Sequence, residues 1–177
     1  DSVRVFRPCD VHATTQCWRL AMENMDTPTA LIFSRQNVND LPAGTKYSGV
    51  EKGAYEVVAE ANPDVVLVAS GSEVSTLAEA ATLLAVDGIK ARVVSCPSEG
   101  LFRRQSKEYQ ESILPSGVKT FALTAGLPVI FEGLVGANGR VYGLDSFGFS
   151  APFKVLDEKL GYTAQNMYNE IKKFLAE

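Results

Sequence analysis

Histidine is nearly missing from this sequence: His12 is the single one in 177 residues. Metal motifs that need two histidines are thereby excluded, and a histidine-based triad would rest on that one residue. Cysteine is scarce and odd in number, and Cys9, Cys17 and Cys96 form no C-x-x-C pair. Neither a disulfide framework nor a cysteine zinc site is expected, and a reducing, intracellular compartment is the simplest reading. Long apolar runs are absent too. The longest, Val65 to Ala69, falls far short of the roughly 20 residues that cross a bilayer. The chain does not open on a basic segment followed by an apolar stretch, so no secretory signal is expected. Basic clustering stops at Arg103-Arg104, which reads as solvated surface rather than a contact for nucleic acid or anionic membrane. Neither G-x-G-x-x-G nor a P-loop with its lysine occurs, which removes two glycine-rich phosphate cradles.

What is present is an ordinary globular composition: 46% hydrophobic, 21% charged, net charge −4. The length suits one domain, or one domain with part of another, and suffices for a real core. Val3 to Phe6 alternates in β-forming residues and ends at Arg7-Pro8. Asp10 is placed to cap a helix whose Trp18, Ala21, Met22 and Met25 share one face. After Asp26-Thr27-Pro28, Thr29 to Phe33 reads as a short buried strand, completing a βαβ unit too small for a core of its own. Asn37 to Lys52 is rich in turn formers and reads as an interdomain linker.

Beyond it, strands alternate with helices. Ala54 to Val58 is a candidate edge strand, and Asp64 to Ala69 a fully buried one. Ser70-Gly71-Ser72-Glu73 leads into a helix with Leu77, Ala80, Ala81 and Leu84 on one face. Strands follow at Ile89 to Ser95, Lys119 to Leu123 and Arg140 to Leu144, with a short helix at Lys107 to Ile113. Two helices close the chain, the first capped by Ser150 with Pro152 in its opening turn and ended by Gly161. The second is capped by Thr163 and carries a stripe of Met167, Tyr168, Ile171, Phe174 and Leu175. This order predicts an α/β fold with a doubly wound, mostly parallel sheet, preceded by the βαβ fragment.

Candidate sites follow from where strands end. Ser34-Arg35-Gln36-Asn37 stands after a strand, at the edge where open α/β sheets bind ligands. The guanidinium of Arg35 offers a planar fork for phosphate or carboxylate; from position alone, a salt bridge to a neighbouring domain fits equally. Ser70, Gly71 and Ser72 open a helix whose amides could hold an anion, although Glu73 could fill that place itself. Arg7, followed by Pro8, reads as part of a structural turn. His12 reads as a helix-start residue without a role, and Cys9 and Cys96 as small core residues. No self-sufficient catalytic constellation is visible.

Taken in order, several segments resemble a known family. Phe6-Arg7-Pro8-Cys9-Asp10 is similar to the W/F-R-P-A-D segment of bacterial, yeast and plant transketolases, and Thr27-Pro28 with Ser34-Arg35-Gln36-Asn37 to their T-P…S-R-Q-N. Asn62-Pro63-Asp64, Ala69 to Val74, Ala91 to Ser95, Leu114-Pro115, Asp145 to Gly148 and Ser150-Ala151-Pro152 continue the register, so the likeness covers essentially the whole chain. Departures include Thr124 and Cys9, where the family commonly has glutamate and alanine. The resemblance implies a C-terminal portion, with residues 1–45 ending a pyrimidine-binding domain plus linker and 46–177 forming the C-terminal domain. It implies transfer of a two-carbon ketol unit between sugar phosphates, as in the pentose phosphate pathway and the Calvin cycle. Thiamine diphosphate and Mg2+ (or Ca2+) would be bound by regions outside this chain, in a cytoplasmic or organellar homodimer. By the same resemblance Arg35 matches the substrate-phosphate arginine, no catalytic residue carries over, and the chain alone is expected to be inactive. A non-catalytic dimerisation or anion-binding module is the alternative, and another thiamine enzyme a third reading.

Overall fold

The structure, a computed structural model, describes residues 2–177 and divides into a two-stranded and a five-stranded sheet. In the first, β1 (Arg4–Phe6) pairs in parallel with β2 (Thr29–Leu31), joined by α1 (Val11–Glu23). Asp10 caps α1 as expected: its carboxylate accepts from the Ala13 amide at 2.8 Å, satisfying a donor that the helix start leaves free.

The apolar face of α1 is real but points the other way from the core. Trp18 and Met22 are 51% and 72% exposed, whereas Ala13 and Cys17 are buried and Leu20 packs beside them. Met25 lies past the helix end. Spacing reports that a face exists, not which body covers it. For the same reason the strand expected to be buried is not: β2 is half-buried, and Ile32 and Phe33 beyond it are about half exposed. A two-stranded sheet has too few neighbours to cover both faces.

The expected linker is also more ordered than its composition implies. Leu41 and Val50 are buried, and Tyr47–Lys52 forms a 3-10 helix ended by Gly53. The Asp10 carboxylate holds this segment down, accepting from the Leu41 amide at 3.2 Å and the Tyr47 hydroxyl at 2.5 Å. Gly53 is required here: its φ of 87° is left-handed, and a Cβ would stand 2.4 Å from the Phe102 nitrogen and the Ser98 oxygen.

The larger sheet runs β3-β5-β4-β6-β7. Its strands are β3 (Tyr55–Val58), β4 (Val65–Ala69), β5 (Ala91–Ser95), β6 (Thr120–Leu123) and β7 (Arg140–Tyr142). Only the edge strand β3 is antiparallel, so the sheet is mostly parallel, as predicted. Alternation divides β4: Val65, Leu67 and Ala69 face one core with α2 (Glu73–Val86) and α7 (Ala164–Ala176), while Val66 and Val68 face a second. That second core gathers Phe102 of α3 (Glu99–Phe102), Ile113 of α4 (Lys107–Ile113) and Phe131 of α5 (Val129–Val135). The sheet is therefore doubly wound. The sequence reading missed α3, whose four residues are too short for a 3.6-residue period, and α5, whose Val129-Ile130-Phe131 run and Gly133 favour strand or turn over helix.

Arg92 of β5 is buried and works as a clamp. It donates to the carbonyls of Glu60 (2.8 and 3.1 Å), Ser112 (2.7 Å) and Ile113 (3.2 Å), and pairs with Glu56 at 2.9 Å. At the chain's end, α6 (Phe153–Leu160) starts at Pro152 and not from Ser150. The Pro152 carbonyl accepts from Val155 and Leu156, and no side chain caps the helix. Gly161, with φ 78°, ends α6, and the Thr163 hydroxyl accepts from Asn166 at 3.2 Å to start α7, both as expected. Met167, Ile171 and Phe174 of α7 are buried. Asp87 at the end of α2 accepts from Tyr168 and Lys172 of α7, each at 2.5 Å. Among the described residues no helix is long and apolar enough to cross a membrane.

Candidate functional site at the carboxyl edge of the sheet

In the parallel part of the sheet, Ala69 of β4 lies beside Ser95 of β5 and Leu123 of β6, so three strands end together. The chain after β1 crosses this edge. The Arg7 amide donates to the Pro97 carbonyl at 2.8 Å, and the Arg7 carbonyl accepts from the Gly71 amide at 3.0 Å. Gly71 reaches it in a left-handed conformation, φ 63°. The first segment is thus stitched by its backbone to two strand ends of the larger sheet.

Side chains extend the seam. The Arg7 guanidinium donates to the Ser70 hydroxyl at 3.2 Å and pairs with Glu73 at 3.3 Å. Glu73 is buried in the first turn of α2, where the helix dipole favours a carboxylate. Burial pushes its carboxyl above the ordinary range; Arg7, the Ser72 hydroxyl and the Ala125 amide pull it back, and Asp157 adds a smaller upward push. The Ser72 hydroxyl donates to Glu73 at 2.9 Å and accepts from the Gln36 side-chain amide at 3.2 Å. Ser70, Gly71 and Ser72 therefore commit polar groups to partners within the chain, with Glu73 as the anion at the turn.

Arg35 precedes Gln36 and is exposed, with no hydrogen-bond or ion-pair partner among the described residues. Ser34 folds back on this loop, its hydroxyl donating to the Gln36 carbonyl at 3.1 Å. The two candidate sites, distant in sequence, are neighbours joined by one bond. Arg7 is structural, as expected, through an ion pair that its position did not reveal. Gln36 was not singled out beforehand; its place in S-R-Q-N, beside Arg35, was the available signal.

The other candidates take no part in the Arg7–Glu73–Ser72–Gln36 contacts. His12 is exposed and leans on Tyr47, ring centroids 5.2 Å apart. Cys9 is buried between Tyr55 (3.5 Å) and Ser95 (3.6 Å), and burial raises its thiol. The same cause pushes Cys17 and Cys96 up to about 12. Unreactive core thiols are the result. Arg103 pairs with Glu99 and donates to the Gly133 carbonyl.

Fold and edge together define a doubly wound α/β domain that carries a basic loop at the carboxyl ends of its strands. A family profile described as "Transketolase-like TK C-terminal domain" matches residues 53–163, more than half of the chain. The chain belongs to the transketolase family, as a C-terminal portion. It is 42% identical over 174 residues to the transketolase of Staphylococcus aureus and 40% over 178 to transketolase 2 of Vibrio parahaemolyticus, covering 96% and 99% of this chain. It spans only 26–27% of the length of those relatives. Among solved structures, transketolase from Leishmania mexicana superposes with a TM-score of 0.92 at 35% identity, over 99% of this chain and 25% of that one. A Pichia stipitis transketolase in complex with sedoheptulose-7-phosphate gives 0.88 at 31%, with the same coverage. A split-gene transketolase described as an inactive β4 tetramer shares the fold, with a TM-score of 0.74 at 22% identity over 99% of this chain and 58% of that one.

Proposed function

We propose that this chain is the C-terminal segment of an enzyme that transfers a two-carbon ketol unit between sugar phosphates, and that Arg35 holds the substrate phosphate. Family membership supports the reaction class, and the Pichia relative is described with a sugar phosphate bound. The observation that carries the site is Arg35, exposed and without a partner among the described residues, beside an anchored Gln36 at the sheet edge where ligands bind. Its fork can give a phosphate two parallel donors, and the carboxyl group of the seam, Glu73, is already paired with Arg7.

The described residues do not fit a divalent metal: no three His, Cys, Asp or Glu side chains converge. Following the family resemblance, thiamine diphosphate and its Mg2+ (or Ca2+) are assigned to the rest of the parent chain, which is also this segment's first partner, within a cytoplasmic homodimer. By the same resemblance the segment alone is expected to be inactive. The domain division proposed is 1–45 for the end of the pyrimidine-binding domain plus linker and 46–177 for the C-terminal domain.

The test is Arg35→Ala in the full-length parent. Loss of a charge-assisted contact of roughly 1.5–3 kcal/mol should raise KM for phosphorylated substrates roughly ten- to a hundredfold. Unchanged kinetics with a phosphorylated donor and acceptor would overturn the assignment.

A further inference from the structure

We propose that the hydrogen-bonded line Arg7–Glu73–Ser72–Gln36 is a positioning device for Arg35, through which the larger sheet sets the affinity for substrate phosphate. The inference rests on Arg35 being the phosphate contact and goes beyond it by giving the C-terminal sheet a part in binding.

The argument starts from what each group can donate. Both Glu73 carboxyl oxygens are acceptors here, one from Arg7 at 3.3 Å and the other from the Ser72 hydroxyl at 2.9 Å. The Ser72 hydroxyl has one proton, and it points to Glu73 at 2.9 Å. What Ser72 offers to a third party is therefore a lone pair. Gln36 meets it with its amide nitrogen at 3.2 Å, leaving its carbonyl on the other side. The direction of the Ser72–Glu73 bond thus fixes the polarity of the whole line, and with it which way the Gln36 amide faces. Reversing any member would set acceptor against acceptor.

Burial falls along the same line. Glu73 is 7% exposed, Ser72 and Gln36 are half-buried, and Arg35 stands in solvent. The firm end belongs to α2, a 14-residue helix packed on the sheet; the free end is a loop beyond the last paired residue of β2. The Gln36–Ser72 contact spans 36 residues of sequence, and the Arg7 contacts span 63 and 66. Two other segments, at Arg7 and at Ser70–Glu73, thus form a line whose last bond, from Gln36 to Ser72, ties the loop to the start of α2. An arginine on a free loop must give up backbone and rotamer freedom when it grips a phosphate. A loop already held by its neighbour gives up less, which appears as tighter binding of the phosphate and no change at the reacting carbons.

The experiment uses full-length parent enzyme and compares kcat/KM for a phosphorylated aldose acceptor with that for the same sugar without phosphate. Ser72→Ala is expected to lower this ratio roughly three- to tenfold, the worth of one hydrogen bond, through KM rather than kcat. Ser72→Thr, which keeps the hydroxyl, is expected to restore it. In an Arg35→Ala background, Ser72→Ala should change the ratio no further, since it acts only through Arg35. Should Ser72→Ala fold poorly, Gln36→Ala breaks the same bond from the solvent side and carries the same expectations. A ratio unmoved by both variants while Arg35→Ala lowers it overturns the positioning device and leaves the phosphate contact standing. Equal losses with both acceptors mean a general structural role and also overturn it. A ratio unmoved by Arg35→Ala overturns both readings together.

Discussion

Replacing Arg92 with methionine keeps the length of the stem and removes five donors, and the structure allows the loss to be worked out. The Ile113 carbonyl is left buried without its donor, at about 1–3 kcal/mol. The Glu60 and Ser112 carbonyls are partly reached by water, so each adds the lower part of that range, about 1 kcal/mol. Glu56, a third exposed, turns to solvent and contributes little. The apolar stem of methionine recovers some burial, which leaves a net loss of about 2–4 kcal/mol. For a chain of this size that lowers Tm by roughly 5–15 °C. Urea melts followed by far-ultraviolet circular dichroism measure the difference directly. Arg92→Lys should fall between the two, because an ammonium can keep the charge beside Glu56 but cannot reach three carbonyls from one plane. A methionine variant within 1 kcal/mol of the parent, or a lysine variant equal to it, would refute the idea that the guanidinium fork is a structural clamp.

Gly53→Ala should cost at least about 2 kcal/mol, because a Cβ at left-handed φ would press on the backbone of Ser98 and Phe102; an unchanged thermal midpoint would contradict the close approach. The three thiols should resist a water-soluble aromatic disulfide reagent at pH 8 in the native chain and all react in denaturant, since each is buried and Cys17 and Cys96 sit near 12; one rapid equivalent before denaturation would be inconsistent with this packing. Asp87 is held below its ordinary value of 3.8 by the Lys172 ammonium, then by the Tyr168 hydroxyl. Its contribution to stability is therefore complete above the ordinary aspartate range and is lost as pH falls through the lowered value. Asp87→Asn should flatten the acid limb of a stability–pH curve, and an acid limb identical to the parent's would argue against the α2–α7 tie.

Much of the architecture was legible because it depends on local rules. Val65 to Ala69 has no polar residue and had to be buried on both faces; Gly161 and Thr163 act through their own backbone and hydroxyl within a turn. Arg35 and the Ser70–Ser72 turn could be named for the same reason, as strand ends. What could not be read was anything decided by a distant partner. Asp10 looked like a helix cap and is one, yet its second oxygen also accepts from Leu41 and Tyr47, a tie that orders the linker and that no local rule announces. Trp18 and Met22 announced an apolar face without saying that the core would take the other side of the helix. The Arg7–Glu73 pair joins residues 66 apart, and no spacing rule reaches that far.

The outward face of α1 also makes the molecule optically informative. Trp18 is the only tryptophan, half exposed and stacked on Phe33 with ring centroids 6.4 Å apart. All indole emission from this chain therefore comes from one spot, on a face of α1 and β2 that also exposes Met22, Ile32 and Phe33. Water at that spot reddens and quenches the light; a body seated there shifts it to the blue. Whatever covers this face announces itself without a label.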